Sequence, residues 1–219
     1  MARRLWAVAV LIALNAGVEL ALQGADLGLW GSPLWRPMAY QFGGFWAGLL
    51  RDWQPNFAAQ PATMFLTYSV LHSGFGHMLG NVAGMGLLGQ AVAARVGGRG
   101  LVLVYVMSSL AGAAVFGILS ASAAPMVGAS GAVFGLAGVL VVWDSMARRR
   151  FGRRGRLPGL VLVLVATNVV LWVAAAGNLA WEAHLGGFLM GAALAGFGFG
   201  SAKSGGAGAP DSQPEQGNG

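Results

Sequence analysis

Ser130 stands in Pro125-Met126-Val127-Gly128-Ala129-Ser130-Gly131-Ala132-Val133-Phe134-Gly135, a polar side chain between glycines. No charged residue occurs from Leu101 to Trp143, so this hydroxyl lies inside a long apolar tract. A serine hydroxyl is a weak nucleophile and needs a base within hydrogen-bond reach. The histidines are His72, His77 and His184. His184 opens His184-Leu185-Gly186-Gly187-Phe188-Leu189-Met190-Gly191, whose Gly187 and Gly191 form a small face that allows close helix approach. Gly131, Gly135 and Gly138 offer a matching face after Ser130. Packing the two faces brings His184 to Ser130, although GxxxG often marks helix packing alone. Acyl transfer also needs donors aimed at a developing oxyanion. A helix start at Ser130 supplies backbone N–H groups, and His77 and Asn81 can add side-chain donors. The plain alternatives are an interhelical hydrogen bond for His77 and Asn81, a loop contact for His72, and packing for Gly128 and Gly131.

An acid partner for the histidine is not evident. Asp144 is about 21 Å along the helix from Ser130, and Glu182, two residues from His184, points to another face. The expectation is a Ser–His dyad without an acid, its imidazole oriented by packing against Phe134. With no cysteine, disulfides and thiolate metal sites are excluded, and three histidines with seven acids supply a metal cage poorly. No cofactor or metal is expected.

The elements that must position these residues are membrane-like. The 219 residues are 56% hydrophobic and 9% charged, where soluble domains carry about 25% charged residues. Apolar runs at 5–22, 75–94, 101–120, 130–147, 159–176 and 184–200 predict six transmembrane helices in an all-α polytopic protein. The first run has the Arg-rich start of a signal peptide but is long for one. The stretch 101–143 is too short for two full spans and a loop. The linker near 121–127 is therefore expected to dip into protein-lined space, with Ser130 at the top of a short fourth helix. Residues 1–200 form one domain, and the Gly/Ser/Pro-rich tail 201–219 is expected to be disordered. The first loop, 24–61, holds Trp30, Trp35, Trp46 and Trp53 and suits the membrane interface, with 45–53 as a short amphipathic helix.

The net charge of +6 does not indicate nucleic acid, because Lys and Arg cluster between apolar runs. With both termini cytoplasmic, every Lys and Arg except Arg36 and Arg51 lies inside. Helices two, four and six then descend from the outside. Ser130, Asn81 and His184 fall about 21–27 Å above the cytoplasmic edge, with His77 one turn above Asn81 on the same face. A site at that level opens to the outside, from which water can reach it.

The set His72-x4-His77-x3-Asn81, then Gly128-Ala129-Ser130-Gly131, then Ala183-His184-Leu185-Gly186-Gly187 with Gly191, resembles the rhomboid family of intramembrane serine proteases. The resemblance implies a six-helix bundle of bacterial type in the inner membrane. It also implies cleavage of single-span transmembrane proteins through an acyl-enzyme, without a cofactor. By the matching positions, Ser130 is the nucleophile and His184 the base, with His77, Asn81 and the Ser130 N–H around the oxyanion. The sequence departs from the family in three places. Thr63-Met64 stands where a Trp-Arg pair is common in the first loop. Ala93 replaces an acidic residue late in helix two, and Phe134 stands where Tyr is frequent. An inactive relative that binds membrane clients is the alternative. A small transporter or channel is a third reading, disfavoured because Glu19 and Asp144 lie close to span ends. Physiological substrate and oligomeric state stay open.

Overall fold

A computed structural model describes residues 2–152, 157–174 and 179–200. The tail 201–219, and Arg153, Arg154 and Arg156 in the predicted cytoplasmic cluster, lie outside the described residues.

Among the described residues the chain is helical and has no strand. The helices are α1 (Ala2–Asp26), α2 (Trp35–Gly43), α3 (Gln60–Thr67), α4 (Phe75–Leu119), α5 (Ser130–Arg150), α6 (Leu157–Ala174) and α7 (Trp181–Gly196), with 3-10 turns at Ala47–Leu50 and Tyr68–Val70. Three of them, over Leu5–Asp26, Phe75–Leu119 and Ser130–Arg150, are long and apolar enough to cross a membrane.

α4 holds 45 residues and is bent at Gly97, whose φ of 75° and ψ of 177° are non-helical and favour glycine. The bend turns the chain back on itself. Leu101 reaches Gly89 across it, and Tyr105 and Ser109 on the second arm contact residues that precede the first. The predicted break between 94 and 101 is thus a single-residue reversal, not a loop.

Val8 and Leu11 of α1, Met85 and Val92 of the first α4 arm, Leu101 and Val104 of the second, and Leu136 and Val139 of α5 form the principal core. Outward faces are also apolar, as at Val10, Leu14, Leu79, Leu87 and Leu189. A chain that leaves such side chains exposed on several helices suits an apolar surrounding.

α7 lies between α5 and the second arm of α4 because small residues permit it. A Cβ on Gly187 would collide with the Gly131 carbonyl oxygen, and one on Gly191 with the Gly135 carbonyl oxygen. Across the other side, a Cβ on Gly186 would come within 2.5 Å of the Ala111 carbonyl oxygen. These approaches need backbones without side chains between them.

The first loop differs from expectation. The segment 45–53 has only the 3-10 turn Ala47–Leu50, while the longer helix is α2, which tolerates Pro37 in its first turn where no intrahelical N–H is required. Phe45 explains the difference. Its backbone pairs with Met126 in both directions, at 3.0 and 2.9 Å, and its ring is buried against Phe65, Tyr68 and Phe116. Those contacts hold it extended. Arg51 Nη2 also donates to Ser120 O at 2.9 Å. The loop thereby contacts the linker at Ser120 and Met126; the expected burial of 121–127 holds only for its second half, since 121–124 are exposed while Met126 is buried.

Arg36 anchors the same loop to α1. Its guanidinium forks onto buried Glu19 at 2.9 and 3.0 Å, donates to Asp26 at 2.6 Å, and donates to His72 O at 2.9 Å. Tyr40 also donates to His72 O, at 2.6 Å. The anchoring expected of an arginine at position 64 comes here from Arg36, and Met64 is an apolar core residue.

Candidate functional site

Ser130 is the first helical residue of α5, following Gly128 with φ 129° and Ala129. The first α5 helical bond runs from Val133 N to Ala129 O, so the amides of 130–132 precede the ladder. At 21 residues α5 is not short; Ser130 stands at its start, and the basic run Arg148–Arg150 closes its last turn.

Ser130, His77 and His184 line one open cavity of about 610 Å³. Its walls come from the linker (Ser120 to Val127), from Tyr40 of the first loop and from the 179–184 segment. Asn81 is buried and is not among the lining residues; its Nδ2 donates to His77 O at 3.0 Å, placing it one turn along the same helix face.

His77 lies against the Gly128 backbone. A Cβ on Gly128 would sit 2.7 Å from His77 Cε1, 2.9 Å from Nε2 and 3.8 Å from Ser130 Oγ. That residue is glycine for two reasons, its positive φ and this ring. Ser73 N donates to His77 Nδ1 at 3.4 Å, with Ser73 Oγ 3.0 Å away. An Nδ1 that accepts a backbone N–H leaves the proton on Nε2, facing Gly128.

His184 is 3% exposed. Its ring stacks on Phe134, centroids 4.2 Å apart and planes 5° from parallel. Phe134 is one turn after Ser130, so the stack puts the imidazole on the serine's side of α5. The adjoining pair is equally close, since a Cβ on Gly131 would lie 3.2 Å from Ala183 O. His184 Nδ1 is 2.6 Å from Asn168 Oδ1 of α6.

One site residue, Asn168, has no place in the sequence reading. Asn168 sits in an apolar run with no motif around it; its one signal is being the sole Asn, Asp, Gln, Glu, His or Ser in 159–176. Glu182, expected on another face, lines the cavity with His184 and is buried. It lies in the first turn of α7, two residues before His184. His72 is fully buried beside His77, ring centroids 5.2 Å apart.

Among the described residues the protein is all-helical, with three helices long and apolar enough to cross a membrane and an open pocket between helices lined by Ser130, His77 and His184. The model of the rhomboid domain matches residues 59–201, well over half of the chain. The chain belongs to the rhomboid family, whose members are generally intramembrane serine proteases. The match includes Ser130, His77, Asn81 and His184, while Glu19 and Arg36 lie before it. A search of curated proteins found no match.

Proposed function

We propose that this protein is an intramembrane serine endopeptidase that cleaves transmembrane segments of single-span proteins. The observation that carries the reading is the grouping of Ser130 with two histidines in one open cavity, with His184 stacked on the residue one turn from the serine.

The chemistry follows from that grouping. Ser130 Oγ attacks the scissile carbonyl carbon as His184 Nε2 takes its proton. The carbonyl oxygen becomes an oxyanion, received by the Ser130 N–H and by His77 Nε2–H. Asn81 Nδ2 keeps one hydrogen beyond its bond to His77 O and is the further candidate donor. Collapse expels the amine, which takes the proton from His184, and leaves an acyl-serine. Water, deprotonated by the same imidazole, releases the second fragment and restores Ser130.

In this reading α1, the two arms of α4, α5, α6 and α7 are the six spans. The charge asymmetry puts both termini in the cytoplasm of a bacterial-type inner membrane, and the cavity faces outside. Lipid surrounds the bundle, and the first loop lies in the interface.

The test is cleavage of a single-span substrate panel in proteoliposomes. Wild type yields two fragments, and Ser130→Ala and His184→Ala yield none above background. Client capture without cleavage by the wild-type protein would instead favour the inactive, client-binding relative.

A further inference from the structure

We infer that Asn168 is a positioning residue that sets the tautomer of His184, making the site a Ser–His–Asn arrangement. This rests on the protease reading above.

Asn168 Oδ1 stands 2.6 Å from His184 Nδ1. An amide oxygen only accepts, so the imidazole proton resides on Nδ1. Nε2 then carries the lone pair, the form needed to deprotonate Ser130 Oγ. Phe134 cannot make this selection. Stacking fixes the plane of the ring, but two orientations related by a flip within that plane stack equally well. A hydrogen bond to one ring nitrogen distinguishes them.

His77 supplies the contrast within the same cavity. Its Nδ1 accepts from Ser73 N and its Nε2 keeps the proton. The two histidines thus hold opposite tautomers through opposite partners. One presents a donor to the cavity, the other an acceptor.

A neutral partner also suits the place. A carboxylate near mid-bundle bears a desolvation cost whenever the imidazole is uncharged. An amide dipole bears none of that cost. It still accepts the Nδ1 proton when the imidazolium forms during attack.

The experiment uses full-length protein in micelles with 15N-histidine labelling at neutral pH. His184→Gln assigns the signals, and cleavage of one substrate gives kcat and KM. Wild-type His184 should show a pyrrole-type Nδ1 and a pyridine-type Nε2. Asn168→Leu, which keeps volume and removes the acceptor, should lose that pattern. Its kcat should fall about 10²-fold, the lower end of what a positioned acid–base group contributes, with KM unchanged. A wild-type His184 protonated on Nε2, or an Asn168→Leu variant with wild-type kcat, overturns the inference. The wild-type spectrum decides the matter even where the Leu variant folds poorly. Wild type without any proteolysis strikes the protease reading instead, a result separate from the tautomer.

Discussion

The Phe134 ring and the His184 imidazole lie face to face, 4.2 Å between centroids and 5° from parallel. One belongs to the helix that begins with Ser130 and the other to the helix that packs along it, so the contact fixes the imidazole plane relative to the serine. Aromatic pairs contribute about 0.5–1.5 kcal/mol beyond area burial. Phe134→Leu should therefore lower kcat about three- to tenfold, and Phe134→Tyr should keep it. Steady-state cleavage of one substrate by the three proteins measures this.

Gly191 has no room for a methyl group, because its Cβ would collide with the Gly135 carbonyl oxygen. Gly191→Ala should force α5 and α7 apart and cost about 1–3 kcal/mol, with loss of activity. Gly196, at the end of the same helix, has open space around it, and Gly196→Ala should be neutral or slightly stabilising. Thermal unfolding of the two variants in the same detergent separates a packing requirement from a general effect of substitution.

Arg36 neutralises a Glu19 carboxylate that is completely buried. The Glu19 hydrogen bond raises the guanidinium pKa further above its ordinary value, so the arginine stays charged throughout the usable pH range. Removing one partner of a buried pair costs about 3–5 kcal/mol. Arg36→Met should show that loss in its unfolding midpoint, and Arg36→Met with Glu19→Leu should recover most of it. Failure of the double variant to recover would mean that the bonds to Asp26 and His72 O dominate.

His72 gives a pH signature. Burial pushes its imidazole down to about 4, with His77 and then the Arg36 guanidinium adding to the effect. An unfolded histidine titrates near 6.5. Between these values the unfolded chain binds a proton that the folded chain refuses. Stability is thus full above about pH 6.5 and falls as pH drops toward 4, by about 3 kcal/mol at most. His72→Asn should flatten the dependence of unfolding midpoint on pH across that window; an unchanged slope would remove His72 as its source.

The parts of this molecule that show in its sequence are those governed by local pattern. Ser130, His77 and His184 stand out as polar residues in apolar runs, and the glycine spacing on α5 and α7 matches the faces that meet. Phe134 was legible because it lies one turn from the serine. Asn168 was not, since its partner is on another helix and nothing near it in the chain marks the pairing. The aromatic and charged pattern of the first loop suggests a helix over 45–53, but a tertiary bridge to Met126 holds Phe45 extended. Arg36 and Glu19 looked like a loop charge and a span-end acid. Only the folded chain brings them together, and in doing so supplies the anchoring that Thr63-Met64 lacks.

The most direct measurement is mass-spectrometric mapping of a fluorophosphonate adduct on the protein in a membrane. A single adduct on the Ser130 peptide, absent in Ser130→Ala and strongly reduced in His184→Ala, is the predicted result. An adduct on another residue, or equal labelling of Ser130→Ala, would contradict the assignment of Ser130 as nucleophile.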